Sequence, residues 1–165
     1  MGYKSHNEMG DVMDTLTATV RQQGEGEQAW FCGGGTFTWK VTGAESGAAF
    51  FMFEDQLEQG KVTPLHLHPH ADETFYLLEG EILLHIDGEE TTLGAGGLAM
   101  FPRRVPHAFM VTSPTARMLA FQNPAAGEAF YRHASEDHPT PVDFDRIRAA
   151  AEATGAIEIL GSPPF

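Results

Sequence analysis

GKVTPLHLHPHADETFYLLEG, residues 60–80, sets two histidines two positions apart, then a polar turn, then a glutamate that opens a run of aromatic and aliphatic residues. Side chains on a β-strand alternate between its two faces, so His66 and His68 point to the same side. After the turn at Pro69, His70, Ala71 and Asp72, Glu73 begins the next strand, where an antiparallel neighbour sets its carboxylate beside the imidazoles. A ligand from a third strand is then wanted. His107 supplies it, directly after Pro106 and at the head of the apolar run Ala108, Phe109, Met110 and Val111, with Pro102 marking the turn before it.

Three neutral imidazoles and one carboxylate make a mixed nitrogen and oxygen donor set of intermediate hardness. It suits one divalent first-row transition metal (Fe, Mn, Ni, Co, Cu or Zn) and disfavours Ca or Mg, which take all-oxygen sites. The other histidines read differently. His70 follows Pro69 in the turn and is expected to face solvent or stand just outside the ligand set, while His85 and His133 lack partners at strand spacing and are expected to be structural or exposed.

Working outward, residues 29–130 are a succession of aromatic and β-branched runs cut by Gly, Pro and Asp, the pattern of a sandwich or barrel of short strands. Strands are expected at 29–33, 36–42, 48–53, 64–68, 73–78, 81–86, 98–101, 107–112 and 117–122. Glu79-Gly80 and Asp87-Gly88 read as tight reversals, which predicts a three-strand meander from Glu73 to Leu93. Thr140, Pro141, Val142 and Asp143 resemble a capping box with proline at the first helical position, ahead of FDRIRAAAEAT and a stop at Gly155. Phe144, Ile147 and Ala151 would form the apolar stripe of that helix, and Arg146, Arg148 and Glu152 its wet face. At the other end, Met9, Val12, Met13 and Leu16 sit at helical spacing within a polar stretch. The division that follows is an N-terminal arm over 1–28, a β-barrel over 29–135, and a helix with a tail packing on the barrel over 136–165.

A chain of 165 residues accommodates one domain with a sizeable core. Its formal net charge of −13 opposes nucleic acid and anionic membrane surfaces as partners. Cys32 is the only cysteine, so neither an internal disulfide nor a cysteine-based zinc site can form, and a cytoplasmic location is expected. No apolar run approaches the roughly 20 residues of a membrane span, and MGYKSHNEMGDVMD lacks the apolar core of a signal peptide.

The stretch from Gly60 to Gly80 resembles the first signature of the cupin superfamily, with Gly60, His66, His68, Glu73 and Gly80 at its fixed positions. The second signature is matched by Gly96, Pro102 and His107, with two departures: Arg104 stands for a glycine and Val111 for an asparagine. The resemblance implies an all-β fold, the cupin jelly-roll β-barrel or double-stranded β-helix. Arg104 implies that the turn before His107 does without glycine's conformational freedom. Val111 implies a more apolar interior, since alternation puts it on the face of His107 and Phe109, just as Phe75 and Leu77 continue the face of Glu73. These four side chains are expected to line a substrate pocket, and Phe37, Trp39, Phe51 and Phe53 to close the barrel.

Within the superfamily the chain is most similar to single-domain, quercetin-dioxygenase-like cupins. That likeness implies a metal-dependent dioxygenase opening an aromatic or flavonol-like substrate with O2, in which Glu73 is both ligand and catalytic proton acceptor. The partners implied are a small apolar or aromatic substrate and a second copy of the chain in a homodimer. Two other readings share the barrel: a metal-dependent isomerase or lyase on a small sugar or keto acid, which would want a more polar lining, and a non-catalytic small-molecule-binding cupin.

Overall fold

The computed structural model describes residues 16–31 and 34–165. Most of the N-terminal stripe and Cys32 lie outside the described residues, and Leu16, the one member of the stripe within them, is exposed. The described chain forms twelve strands: β1 (Gln28–Phe31), β2 (Gly35–Val41), β3 (Phe51–Glu58), β4 (Leu65–Leu67), β5 (Asp72–Glu79), β6 (Glu81–Ile86), β7 (Glu89–Gly94), β8 (Leu98–Phe101), β9 (His107–Val111), β10 (Thr115–Asn123), β11 (Ser135–Glu136) and β12 (Glu158–Gly161). Two helices, α1 (Glu128–Ala134) and α2 (Phe144–Thr154), follow β10.

All strand pairs are antiparallel and fall into two sheets, ordered β11-β1-β2-β3-β10-β5-β8 and β12-β4-β9-β6-β7. This is the expected all-β jelly roll. Its core is rich in aromatic rings: Phe37, Trp39, Phe51 and Phe53 are all buried, and neighbouring rings meet at centroid distances of 4.9–6.0 Å, a range in which edge-to-face and offset pairs attract.

The expected meander is corrected. β6 and β7 do form a hairpin across Asp87 (φ 50°) and Gly88 (φ 91°), but β5 and β6 do not pair. At Gly80 (φ 83°) the chain turns the corner between sheets, where a Cβ would stand 2.3 Å from the Thr115 carbonyl oxygen, so no other residue fits there. β3 also runs beyond the expected strand end at residue 53, because β2 and β10 flank it on both sides as far as Leu57.

Three features after the barrel differ from expectation. Residues 128–134 form α1, a seven-residue helix in a region read only as barrel. The cap of α2 is Asp143, whose side chain accepts from the Asp145 and Arg146 amides, and Pro141 lies outside the helix; Gly155 ends it in the left-handed conformation, as expected. The tail contributes β12, which pairs with β4 in the register Ile159 to His66. Among the described residues no helix is long and apolar enough to cross a membrane.

Arg104 also overturns its expectation, for it adopts φ 69°, the conformation a glycine would favour. Its amide donates to the His68 carbonyl at 2.9 Å, while Arg103 beside it is held by Asp72, and these ties keep the loop before His107 against the loop after β4. Relief of a left-handed side chain is worth about 1–2 kcal/mol, and glycine's extra unfolded-state freedom returns about 0.5–1 kcal/mol of it. Arg104→Gly is therefore expected to stabilise by about 0.5–1 kcal/mol in urea unfolding, and Arg104→Val, β-branched, to destabilise by more than about 1 kcal/mol.

Candidate metal centre

His66 in β4 and His107 at the start of β9 are direct cross-strand partners, and His68 follows immediately after β4. Glu73 comes from β5 in the other sheet, so it does not reach the histidines from a neighbouring strand as expected; it crosses the barrel interior to meet them. Its Oε2 lies 3.2 Å from His68 Nε2 and 3.0 Å from His107 Nε2. All four residues are buried, and one ligand atom from each lies within 4.8 Å of the others.

This arrangement fits a divalent ion. With bonds of about 2.1 Å, adjacent ligand atoms around one metal stand roughly 3 Å apart. The tautomers agree: His66 Nδ1–H donates to the Pro64 carbonyl and His107 Nδ1–H to the Val105 carbonyl, each at 2.9 Å, which leaves the Nε2 lone pairs for the centre. Lone pairs and a carboxylate turned toward one another repel unless a cation lies among them. Burial, reinforced by the charges of His107 and His68, pushes His66 down to about 3, so it is neutral, as a ligand must be, at pH 7. For Glu73 burial alone would raise the pKa, but in the ion-free cluster the charges of His68 and His107 and their hydrogen bonds, standing where an ion's charge would act, hold it well below the usual carboxylate range.

Two residues not singled out in the sequence complete the support of Glu73. Gln122 Nε2 donates to Oε1 at 2.8 Å from β10, where Gln122 is the register partner of Glu73. Tyr131 of α1 donates its hydroxyl to the same oxygen at 3.0 Å, and burial with the Glu73 charge keeps that phenol protonated. Gln122 carried a legible signal: with Ala116, Met118 and Ala120 it completes a period-two buried face. Tyr131 carried none, since the helix that presents it was not foreseen.

A cavity of about 50 Å³ opens beside His66 and Glu73, while the ring of Phe101 stacks on His107 at 4.2 Å and covers another side of the cluster. Phe75 and Phe109 line this cavity; Leu77 and Val111 do not, and pack into the buried core instead. Its wall is less uniformly apolar than alternation implied, because Asp55, Lys61 and Tyr131 also face it. Asp55 lies on the inward face of β3 with Phe51, Phe53 and Leu57, and that one polar residue in an apolar alternation was its signal. Burial, opposed by Lys61 and assisted by the charge of Glu73, pushes its carboxyl up to about 7. His70 and His133 are exposed and His85 half-buried, all apart from the cluster.

Residues 53–121 match the family model described as "Cupin domain". The chain belongs to the cupin superfamily. Among curated proteins, this cupin is 26% identical over 156 residues to quercetin 2,3-dioxygenase of Bacillus subtilis, which covers 88% of the chain and 45% of the relative. Polyketide synthase CurC of Streptomyces cyaneus is 31% identical over 104 residues, covering 62% of the chain and 66% of the relative. The chain thus spans about half the length of the first relative and just under two thirds of the second. Among solved structures, an RmlC-like cupin from Shewanella frigidimarina matches with TM-score 0.57 and 18% identity over 66% of this chain and 92% of its own, a likeness of fold alone.

Two measurements bear on the centre. An ion bound only by the folded state at a hundredfold excess over its Kd adds about 2.7 kcal/mol, or roughly 5–10 °C in Tm at this size; chelator-treated cupin is expected to gain this on adding Ni²⁺ or Zn²⁺, and His107→Ala to lose the gain. In metal-free protein the ordinary Asp55 value of 3.8 rises to about 7 on folding, so its contribution to stability is full below 3.8 and is lost as pH rises through 7. Thermal melts at pH 4 and pH 8 are expected to show the difference, Tm of Asp55→Asn minus Tm of wild type, becoming more positive at the higher pH.

Proposed function

We propose that this cupin is a metal-dependent dioxygenase acting on a small enol or phenol. The carrying observation is a buried cluster of three histidines and a glutamate at one end of a cavity lined by Phe53, Phe75 and Phe109. The relationship to quercetin 2,3-dioxygenase supports oxygen chemistry on an aromatic hydroxy-ketone. A bound redox-active ion would supply Lewis acidity toward an enol or phenol oxygen and electronic access to O2.

The chain's own residues then have separable tasks. His66 and Glu73 are the members of the cluster that also line the cavity, so the substrate oxygen approaches on their side. Glu73 contributes charge and position more than basicity. Its Oε1 already accepts from Tyr131 and Gln122, its Oε2 faces His68 and His107, and its pKa is held low. Phe75 and Phe109, whose ring centroids are 5.7 Å apart, present an apolar wall to the body of the substrate and exclude water from it. The cavity is small, about 50 Å³, and α2 contributes Phe144 and Ile147 to its lining, so a one-ring or acyclic enol suits it better than a three-ring flavonol.

A second reading is non-oxidative enolate chemistry on a polyketide-like compound. Two observations favour it: the 31% identity to polyketide synthase CurC, and the polar residues Asp55, Lys61 and Thr63 in the lining, which remove the main objection to a reaction other than oxygenation. Oxygen consumption separates the two. Cupin loaded in turn with Fe, Mn, Co and Ni is mixed anaerobically with acetylacetone or quercetin and then aerated. The expected outcome is a shift in the ligand's absorption before aeration and O2 uptake afterwards with at least one metal, both absent in Glu73→Ala. A shift without uptake for every metal would discard the dioxygenase reading in favour of the second.

A further inference from the structure

The cavity has a polar end that the metal cluster does not use. Asp55 is 6% exposed, lines the cavity with His66 and Glu73, and its Oδ1 has no hydrogen-bond partner among the described residues. A buried carboxylate oxygen is ordinarily satisfied by a donor, and Asp55 is among the residues that line the cavity. Lys61 is equally buried and lines the same space; its ammonium donates to the Phe31 carbonyl at 2.7 Å, sits 5.1 Å from the Phe31 ring centroid, and acts on Asp55 as an opposing charge. The remaining lining includes the apolar side chains of Phe53, Phe75, Phe109 and Met118. A complementary ligand therefore has an oxygen for the cluster, an apolar body, and a hydrogen-bond donor for the other end.

We propose that Asp55, supported by Lys61, is the specificity-determining residue of this cavity, accepting a hydrogen bond from a hydroxyl on the far side of a one-ring enol or phenol whose near oxygen is held at the His66 and Glu73 end. This rests on reading the cluster as a metal centre that takes an enol or phenol oxygen, but not on oxygenase activity. The Asp55 carboxyl, with a value near 7, is substantially ionised in neutral solution and able to accept. A carboxylate whose only task is to balance Lys61 would show no preference for a ligand hydroxyl, and this difference is measurable.

Kojic acid and allomaltol share one metal-chelating hydroxy-ketone and differ in a hydroxymethyl against a methyl group on the far side of the ring. Nickel-loaded protein is titrated with each by calorimetry under argon. Wild type is expected to bind kojic acid at least about tenfold more tightly, because a site built to pair a hydroxyl discriminates against the analogue lacking it. Asp55→Ala and Asp55→Leu, which remove the acceptor, each checked for nickel stoichiometry and cooperative melting, are expected to reduce that preference to about twofold or less. Equal affinity of wild type for the two probes, or a preference that survives in whichever variant folds, overturns the assignment of Asp55 while leaving the metal-centre reading in place. Failure of nickel-loaded wild type to bind either probe overturns the reading of the cluster as one that takes an enol or phenol oxygen, and this proposal with it.

Discussion

A single carboxylate, that of Glu73, joins the two sheets of this cupin at their interior. Isolated in an apolar core it would carry a desolvation penalty of several kcal/mol, so its position is tenable only among donors and positive charge. The structure supplies both. His68 and His107 stand beside Oε2, and Gln122 and Tyr131 donate to Oε1. Each donor makes a demand on the fold: the histidines require the sheet containing β4 and β9 to face β5, Gln122 requires its register with Glu73 on β10, and Tyr131 requires α1 to close over the barrel. Gly127 follows from the last demand, for a Cβ there would lie 2.0 Å from Gln122 Oε1 and prevent the close approach of the turn that leads into α1.

The same dependence explains what could be read from the sequence. His66, His68, Glu73 and His107 were legible because alternation along a strand is a local rule and the spacing repeats a family signature. Their assembly was less so. Whether Glu73 meets the histidines along one sheet or across two depends on pairing between residues far apart in the chain, and the turn residues at Gly80 serve a hairpin or a corner equally well. Asp87-Gly88 shows the contrast, since two residues with positive φ suffice to specify a hairpin locally.

Other elements escaped for their own physical reasons. The seven residues of α1 provide too few turns for an apolar period to emerge, and the four of β12 depend on β4 for their pairing. Asp143 prevailed over Thr140 as the cap of α2 because its carboxylate reaches two amides, a local competition that a capping pattern alone does not decide. Arg104 retained the backbone of the glycine it replaces because its neighbours hold the loop. The hydrogen bond from its backbone N–H to the His68 carbonyl and the Arg103–Asp72 pair outweigh the intrinsic cost of the conformation.

The charges of the interior also tie its two ends together. Asp55 holds its proton to about neutral pH first because it is buried, and in addition because the negative charge of Glu73 acts on it. A divalent ion held in the cluster would place positive charge beside Glu73, offset that contribution, and favour release of the proton from Asp55. Metal binding and ionisation of Asp55 would thus be linked in sign: an ion at the cluster would make Asp55 a better acceptor, and by reciprocity an ionised Asp55 would favour the loaded cluster. Because Asp55 and Glu73 are both buried, such coupling is less screened by solvent than it would be at the surface.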